Sequence, residues 1–127
     1  MKLLFIFLFM VFFHFAIAQN MHSNDIATIK SCRAASNNAI TRHDVYGIAK
    51  YWLDNFVQII GRSVYQTGKD SIAASWKTLF KSNPQIGYVR NPNEIVVSDN
   101  DTLAWERGTW IGIHSYSKGG NYAAMWI

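Results

Sequence analysis

The stretch LAWERGTWIGI, Leu103 to Ile113, reads as a β-strand and sets one carboxylate, Glu106, among two tryptophans, two glycines and a run of aliphatic residues. Either the acid lies on a solvated face, or it occupies a pocket whose chemistry needs an acid held in apolar surroundings. Its neighbours decide the fold. Upstream lie IGYVRN and NEIVVS, and downstream NYAAMWI, separated by Asn91-Pro92, Ser98 to Asp101 and Ser117 to Gly120, which are turn compositions. The last third of the chain is therefore antiparallel sheet.

Before the sheet the pattern is helical. Asn24 or Ser23 can cap a first helix to about Ile40, with Ile26, Ile29, Arg33, Ser36 and Ile40 along one stripe. Asp44 caps a second, in which Val45, Ile48, Ala49, Trp52 and Leu53 keep the spacing of a buried face. NFVQII and SVYQT, joined at Gly61-Arg62-Ser63, form a hairpin. A third helix starts after Gly68, buries Ile72, Trp76, Leu79 and Phe80, and ends at Asn83-Pro84. The fold class is α+β.

The chain has 127 residues, half of them hydrophobic, a formal charge of +4 and one cysteine, which suits a single domain without an internal disulfide. Cys32 reads as a small core residue. Residues 1–18 carry Lys2, an apolar run from Leu3 to Phe15 and the small-x-small site Ala16-Ile17-Ala18, the pattern of a cleaved signal peptide. The run is shorter than the roughly 20 apolar residues of a spanning helix, so no stable membrane anchor is expected. The mature domain would be residues 19–127, secreted or periplasmic. The basic residues are scattered, which argues against a nucleic-acid surface. No metal-ligand spacing, phosphate-binding glycine loop or serine elbow is present, so neither a metal nor another cofactor is expected. His43 and Asp44 read as a turn and a helix cap, His114 as solvated, and Asn100-Asp101-Thr102 as a hairpin turn that also matches a glycosylation acceptor.

A rough register follows from the turns. Centring one on Asp99 and Asn100 pairs Val97 with Thr102 and Ile95 with Ala104, placing Ile95, Val97, Ala104, Glu106, Gly108 and Trp110 on one face. Centring the next between Ser117 and Lys118 adds Met125 and Ile127. The opposite face receives Leu103, Trp105, Arg107, Thr109, Ile111, Tyr122 and Trp126. A one-residue slip would exchange such assignments. One face packs on the helices, and the other is expected to meet a second subunit, with Trp105, Ile111, Tyr122 and Trp126 as its interface.

The order helix, helix, hairpin, helix, long strands, with GKDSIAASW (Gly68 to Trp76), A-x-E-x-G-x-W (Ala104 to Trp110) and G-x-Y-x-x-x-W (Gly120 to Trp126), resembles the SnoaL-like branch of the nuclear transport factor 2-like superfamily. The likeness covers about Asn24 to Ile127 and is closest to domain of unknown function 4440. It implies a cone in which a curved sheet wraps helices around a deep apolar cavity, commonly in a homodimer. Such domains usually continue into one more strand, so the expectation is either a fragment, or a final strand that is missing or supplied by a partner. Relatives include isomerases, polyketide cyclases, epoxide hydrolases and dehydratases beside binding and assembly domains, and fold alone does not choose among them.

Trp52, Trp76, Tyr88, Trp110 and Met125 could wall the cavity, although aromatic residues more often simply fill a core. Tyr51, Tyr65 and Tyr122 offer hydroxyls that could orient a ligand. Glu106, with Gly108 and Gly112 leaving volume on its side, would have a raised pKa and serve as a general base or hydrogen-bond donor. The plainer reading is a structural glutamate paired with a basic residue or capping backbone groups. Three functions stay open: a domain that binds an apolar or aromatic small molecule; a cofactor-free isomerase, cyclase, dehydratase or hydrolase acting through Glu106; and a homodimeric association domain.

Overall fold

The structure, a computed structural model, describes residues 2–61 and 63–127, with side chains from His22 onward apart from Arg62. The signal expected over residues 1–18 lies outside the residues whose side chains are described. Helix α1 spans Lys2–Thr41, α2 Val45–Ala49 and α3 Lys69–Ser82. Strands β1 (Val57–Ile60) and β2 (Val64–Thr67) form one antiparallel hairpin. Strands β3 (Gly87–Val97), β4 (Ala104–Ile113) and β5 (Gly119–Trp126) form an antiparallel sheet in that order.

Helix α1 runs through Ser23 and Asn24, so neither caps a helix start; the Asn24 carbonyl accepts a bond from Thr28 Oγ1 inside the helix. Its stripe largely follows the predicted spacing: Ile29, Arg33, Ser36 and Ile40 are buried, Ile26 is half-buried, and Ala39 joins them. The helix packs on the sheet chiefly at β3. Ala39, Ile40, Ile48, Phe80 and Ile86 form the apolar core, with Val45, Trp52, Trp76, Leu79 and Tyr88 packed around it. The expected caps and stops hold elsewhere. Asp44 accepts a bond from the Gly47 N–H at 2.9 Å, satisfying one of the free donors that open α2. That helix is shorter than predicted, and Leu53, beyond its end, is exposed. His43 turns the chain at φ 55°, and its ring stacks on Phe80 with centroids 4.0 Å apart. In α3, Ile72 and Phe80 are buried, as the spacing predicts.

Two strand expectations need correction. Asn91-Pro92 is not a turn, because β3 passes straight through it with a register shift between Pro92 and Glu94. Proline cannot donate to a ladder, but β3 is an edge strand and the shift lies beside the proline, the setting that tolerates it. Along β3 and β4 the register is two residues from the expected one, pairing Val97 with Ala104 and Ile95 with Glu106, which keeps every predicted face. The second hairpin differs by an odd number. Its strands pair Ala104 with Trp126 and Gly108 with Tyr122, closing through the bond from the Gly112 N–H to the Lys118 carbonyl. Tyr122 and Trp126 therefore turn to the Glu106 face, and Met125 turns outward. Gly119 and Gly120 are not the turn but part of β5. A Cβ on Gly119 would lie 2.5 Å from the Trp110 carbonyl, and one on Gly120 would meet the Trp110 indole at 3.0 Å.

Candidate functional site

The inward face of β4 carries Ala104, Glu106 and Gly108, all buried, and Glu106 has no exposed surface at all. Arg33, from the α1 stripe, stands opposite. Its Nε donates to Glu106 Oε1 at 2.8 Å and its Nη2 to Oε2 at 3.0 Å, a two-point fork that suits a carboxylate. From β5, the Tyr122 hydroxyl donates to Oε1, and the Trp126 indole N–H donates to Oε2 at 2.6 Å. The same two rings flank the guanidinium, with centroids 5.3 and 5.1 Å from Arg33 Cζ. Each carboxylate oxygen thus receives two donors, which fills the acceptor positions the group has.

The electrostatics follow from this enclosure. Burial by itself would raise the Glu106 pKa, but the bonds from Arg33 and Tyr122, the Arg33 charge and the Trp126 bond outweigh it and hold the carboxyl below its ordinary value. The Tyr122 hydroxyl is pushed up, first by burial and then by donating to Glu106. These contacts hold Glu106 ionised. The raised pKa expected of a catalytic acid is not found, and the volume expected beside Gly108 is taken by the Tyr122 ring, whose Cε1 would lie 2.7 Å from a Cβ there.

The remaining candidates separate. Trp76, Tyr88 and Trp110 form one half-buried aromatic ladder, Trp76 to Tyr88 edge-on at 6.0 Å and Tyr88 to Trp110 at 5.7 Å. Trp52 stacks instead on Phe56 at 4.9 Å, and Met125, with 62% of its surface exposed, joins no wall. Trp105 and Ile111 lie on the exposed outer face, while Tyr122 and Trp126 belong to the Glu106 clamp. Tyr51 and Tyr65 are exposed, and Cys32 is half-buried and free. A cleft of about 240 Å³ lies apart from all of these, between His43 and the segment Pro84 to Gly87. Among the described residues no group of three His, Cys, Asp or Glu side chains could hold a metal ion.

Sequence reasoning missed two members of this site. In sequence Arg33 stands on the buried stripe without a role, and Arg90 is one of the scattered basic residues. Arg90 projects from β3, where its Nη2 donates to Ser36 Oγ at 2.8 Å and its Nε to Asn37 Oδ1 at 3.3 Å. Burial and the nearby Arg33 charge lower its pKa to about 10, against the opposing pull of Tyr122 and Glu106, so it remains a cation at neutral pH.

No family model and no curated protein sequence matches the chain. Solved structures do. A protein of unknown function from Shewanella oneidensis described as nuclear transport factor 2-like superposes with a TM-score of 0.63 at 17% identity, over 80% of this chain and 85% of that one. The chain has the nuclear transport factor 2-like fold. A ketosteroid isomerase-like protein from Erwinia carotovora matches with a TM-score of 0.55 at 20% identity, over 78% of this chain and 77% of that one. A putative calcium/calmodulin-dependent protein kinase type II association domain from Thiobacillus denitrificans matches with a TM-score of 0.60 at 10% identity, over 76% and 79%. At such identities the likeness is one of fold, and the narrower assignment to domain of unknown function 4440 gains no support.

Proposed function

We propose that this is a small-molecule-binding domain whose flat apolar ligand lies against Trp76, Tyr88 and Trp110, and that Glu106 organises the interior without acid-base catalysis. The filled coordination of Glu106 carries the reading. A general base needs a lone pair aimed at a substrate proton and a pKa near the working pH. Glu106 has neither, because four donors occupy its oxygens and hold it ionised. What remains is the aromatic surface of Trp76, Tyr88 and Trp110, which suits recognition of a flat apolar body. Export of residues 19–127 after removal of the signal belongs to the same proposal and rests on the sequence of residues 1–18.

A neutral flat probe tests the binding. Titrated with 2-naphthamide, the protein should show saturable quenching of tryptophan fluorescence, and Trp110→Ala should weaken binding by about tenfold through loss of one aromatic contact. Unchanged affinity in Trp110→Ala would remove the ladder from the site.

A second reading, homodimeric association, is favoured by the outer face. Val96, Trp105 and Met125 are cross-strand neighbours on β3, β4 and β5, and all three are exposed, Trp105 by 47%. An apolar row crossing a whole sheet suits a partner surface. Light scattering should give the mass of a dimer, and Trp105→Glu should weaken association by about tenfold or more. A wild-type monomer at high concentration would end this reading.

A further inference from the structure

The charges between α1 and the sheet do not balance. Two guanidiniums, Arg33 and Arg90, face one carboxylate, Glu106, and Arg33 already takes both of its oxygens. Among the described residues no ion pair involves Arg90; its side-chain partners are the neutral oxygens of Ser36 and Asn37. We propose that Arg90 anchors a carboxylate subsite, so that the ligand is a small monocarboxylate with a flat apolar body lying on Tyr88 and Trp110. This rests on the binding reading above and names the ligand's chemistry.

The geometry favours it in three ways. A guanidinium has five N–H groups, and the two bonds from Nε and Nη2 leave Nη1 without a protein acceptor among the described residues. No fully buried side-chain nitrogen or oxygen among them lacks a partner, so Nη1 keeps some exposed surface, through which it can donate to a ligand oxygen. The head is also fixed in advance. Asn37 grips the backbone of Arg90 from both sides, accepting from its N–H at 3.2 Å and donating to its carbonyl at 2.8 Å, while Ser36 holds Nη2. Preorganisation of this kind lowers the ordering cost of binding.

Arg90 is also well placed. Arg90 pairs directly across the sheet with Trp110, and Tyr88, two residues back on the same face, touches that indole edge-on. A ligand meeting the guanidinium would lay its body on these rings. The excess is one positive charge, so one negative charge neutralises it, whereas a dianion would leave an unpaired charge in a partly desolvated site. A planar carboxylate also matches the guanidinium edge better than a tetrahedral anion of the same charge.

The test uses the full chain and two probes of one shape, 2-naphthoate and uncharged 2-naphthamide, titrated by calorimetry. The naphthoate should bind at least about tenfold more tightly, the worth of a hydrogen bond between charged groups. Arg90→Met should bring it to the affinity of the amide, and Arg90→Lys should keep part of the preference. Equal affinities in the wild-type protein would overturn the carboxylate subsite while leaving the binding reading in place. A preference that survives in Arg90→Met would also overturn it, by placing the anion elsewhere. If the folded protein binds neither probe, both readings fall together. Should Arg90→Met fail to fold, the wild-type pair of constants and Arg90→Lys still decide the matter.

Discussion

Arg33→Met should cost on the order of 3 to 5 kcal/mol of stability, because it leaves a carboxylate with no exposed surface without its counter-ion. In a domain of this size that lowers the melting temperature by roughly 15 °C or more. Glu106→Gln, which keeps the shape and strands Arg33, should cost somewhat less, on the order of 3 kcal/mol. The pH dependence carries a second signature. The folded Glu106 pKa lies below its ordinary 4.5, so its contribution is complete above the unfolded value and is lost as pH falls through the folded one. Wild-type melting temperature should therefore fall on acidification below about pH 4.5. In Arg33→Met burial dominates instead, the carboxyl takes up its proton at higher pH, and the gap to wild type should narrow between pH 7 and pH 3. Chemical denaturation across that range measures both. A Glu106→Gln protein of unchanged stability that has lost turnover on some substrate would reverse the reading and make Glu106 a catalytic group.

What the sequence revealed follows physical lines. The α1 stripe, the face of α3 and the β1–β2 hairpin were legible because their side-chain periodicity is local and survives any error in tertiary placement. Pro92 breaks the β3 pattern in sequence, since nothing local tells an edge strand from a central one. The second hairpin was misjudged for a similar reason. Gly119 and Gly120 have turn composition, yet they are glycines so that the Trp110 carbonyl and indole can approach β5. A register that differs by an odd number exchanges both faces of β5, which is why Tyr122 and Trp126 turn inward and Met125 outward.

The clamp was half legible. Arg33 on a buried helical stripe and Glu106 on an inward strand face are each anomalous, and two anomalies of opposite sign answer each other. Only their contact in three dimensions fixes the sign of the pKa shift. An acid in apolar surroundings is raised, the same acid on an arginine fork is lowered, and residues 73 positions apart decide between the two. Arg90 gave no signal in one dimension, because its grip by Ser36 and Asn37 exists only where α1 crosses β3.

Gly108 supplies the second large effect. It faces inward from β4 beside Glu106, paired with Pro92 on one side and Tyr122 on the other. A Cβ there would lie 2.1 Å from the Asn91 carbonyl oxygen and 2.7 Å from Tyr122 Cε1. The first contact is backbone at the β3 irregularity and can yield only by moving the strand. The second is a ring whose hydroxyl is bonded to Glu106, so it can retreat only by giving up that donor. Gly108→Ala should therefore cost about 3 kcal/mol or more, the upper end of the range for overpacked cores. It should also shift the acid transition of Glu106 upward, since one bond that lowers its pKa is lost. Gly61→Ala is the matched control. Nothing lies within 4 Å of a Cβ at that position, and its stability should stay within about 0.5 kcal/mol of wild type. If Gly108→Ala proved as stable as Gly61→Ala, β3 and β5 would not approach β4 as closely as this register requires, and the placement of Tyr122 on Glu106 would fall with it.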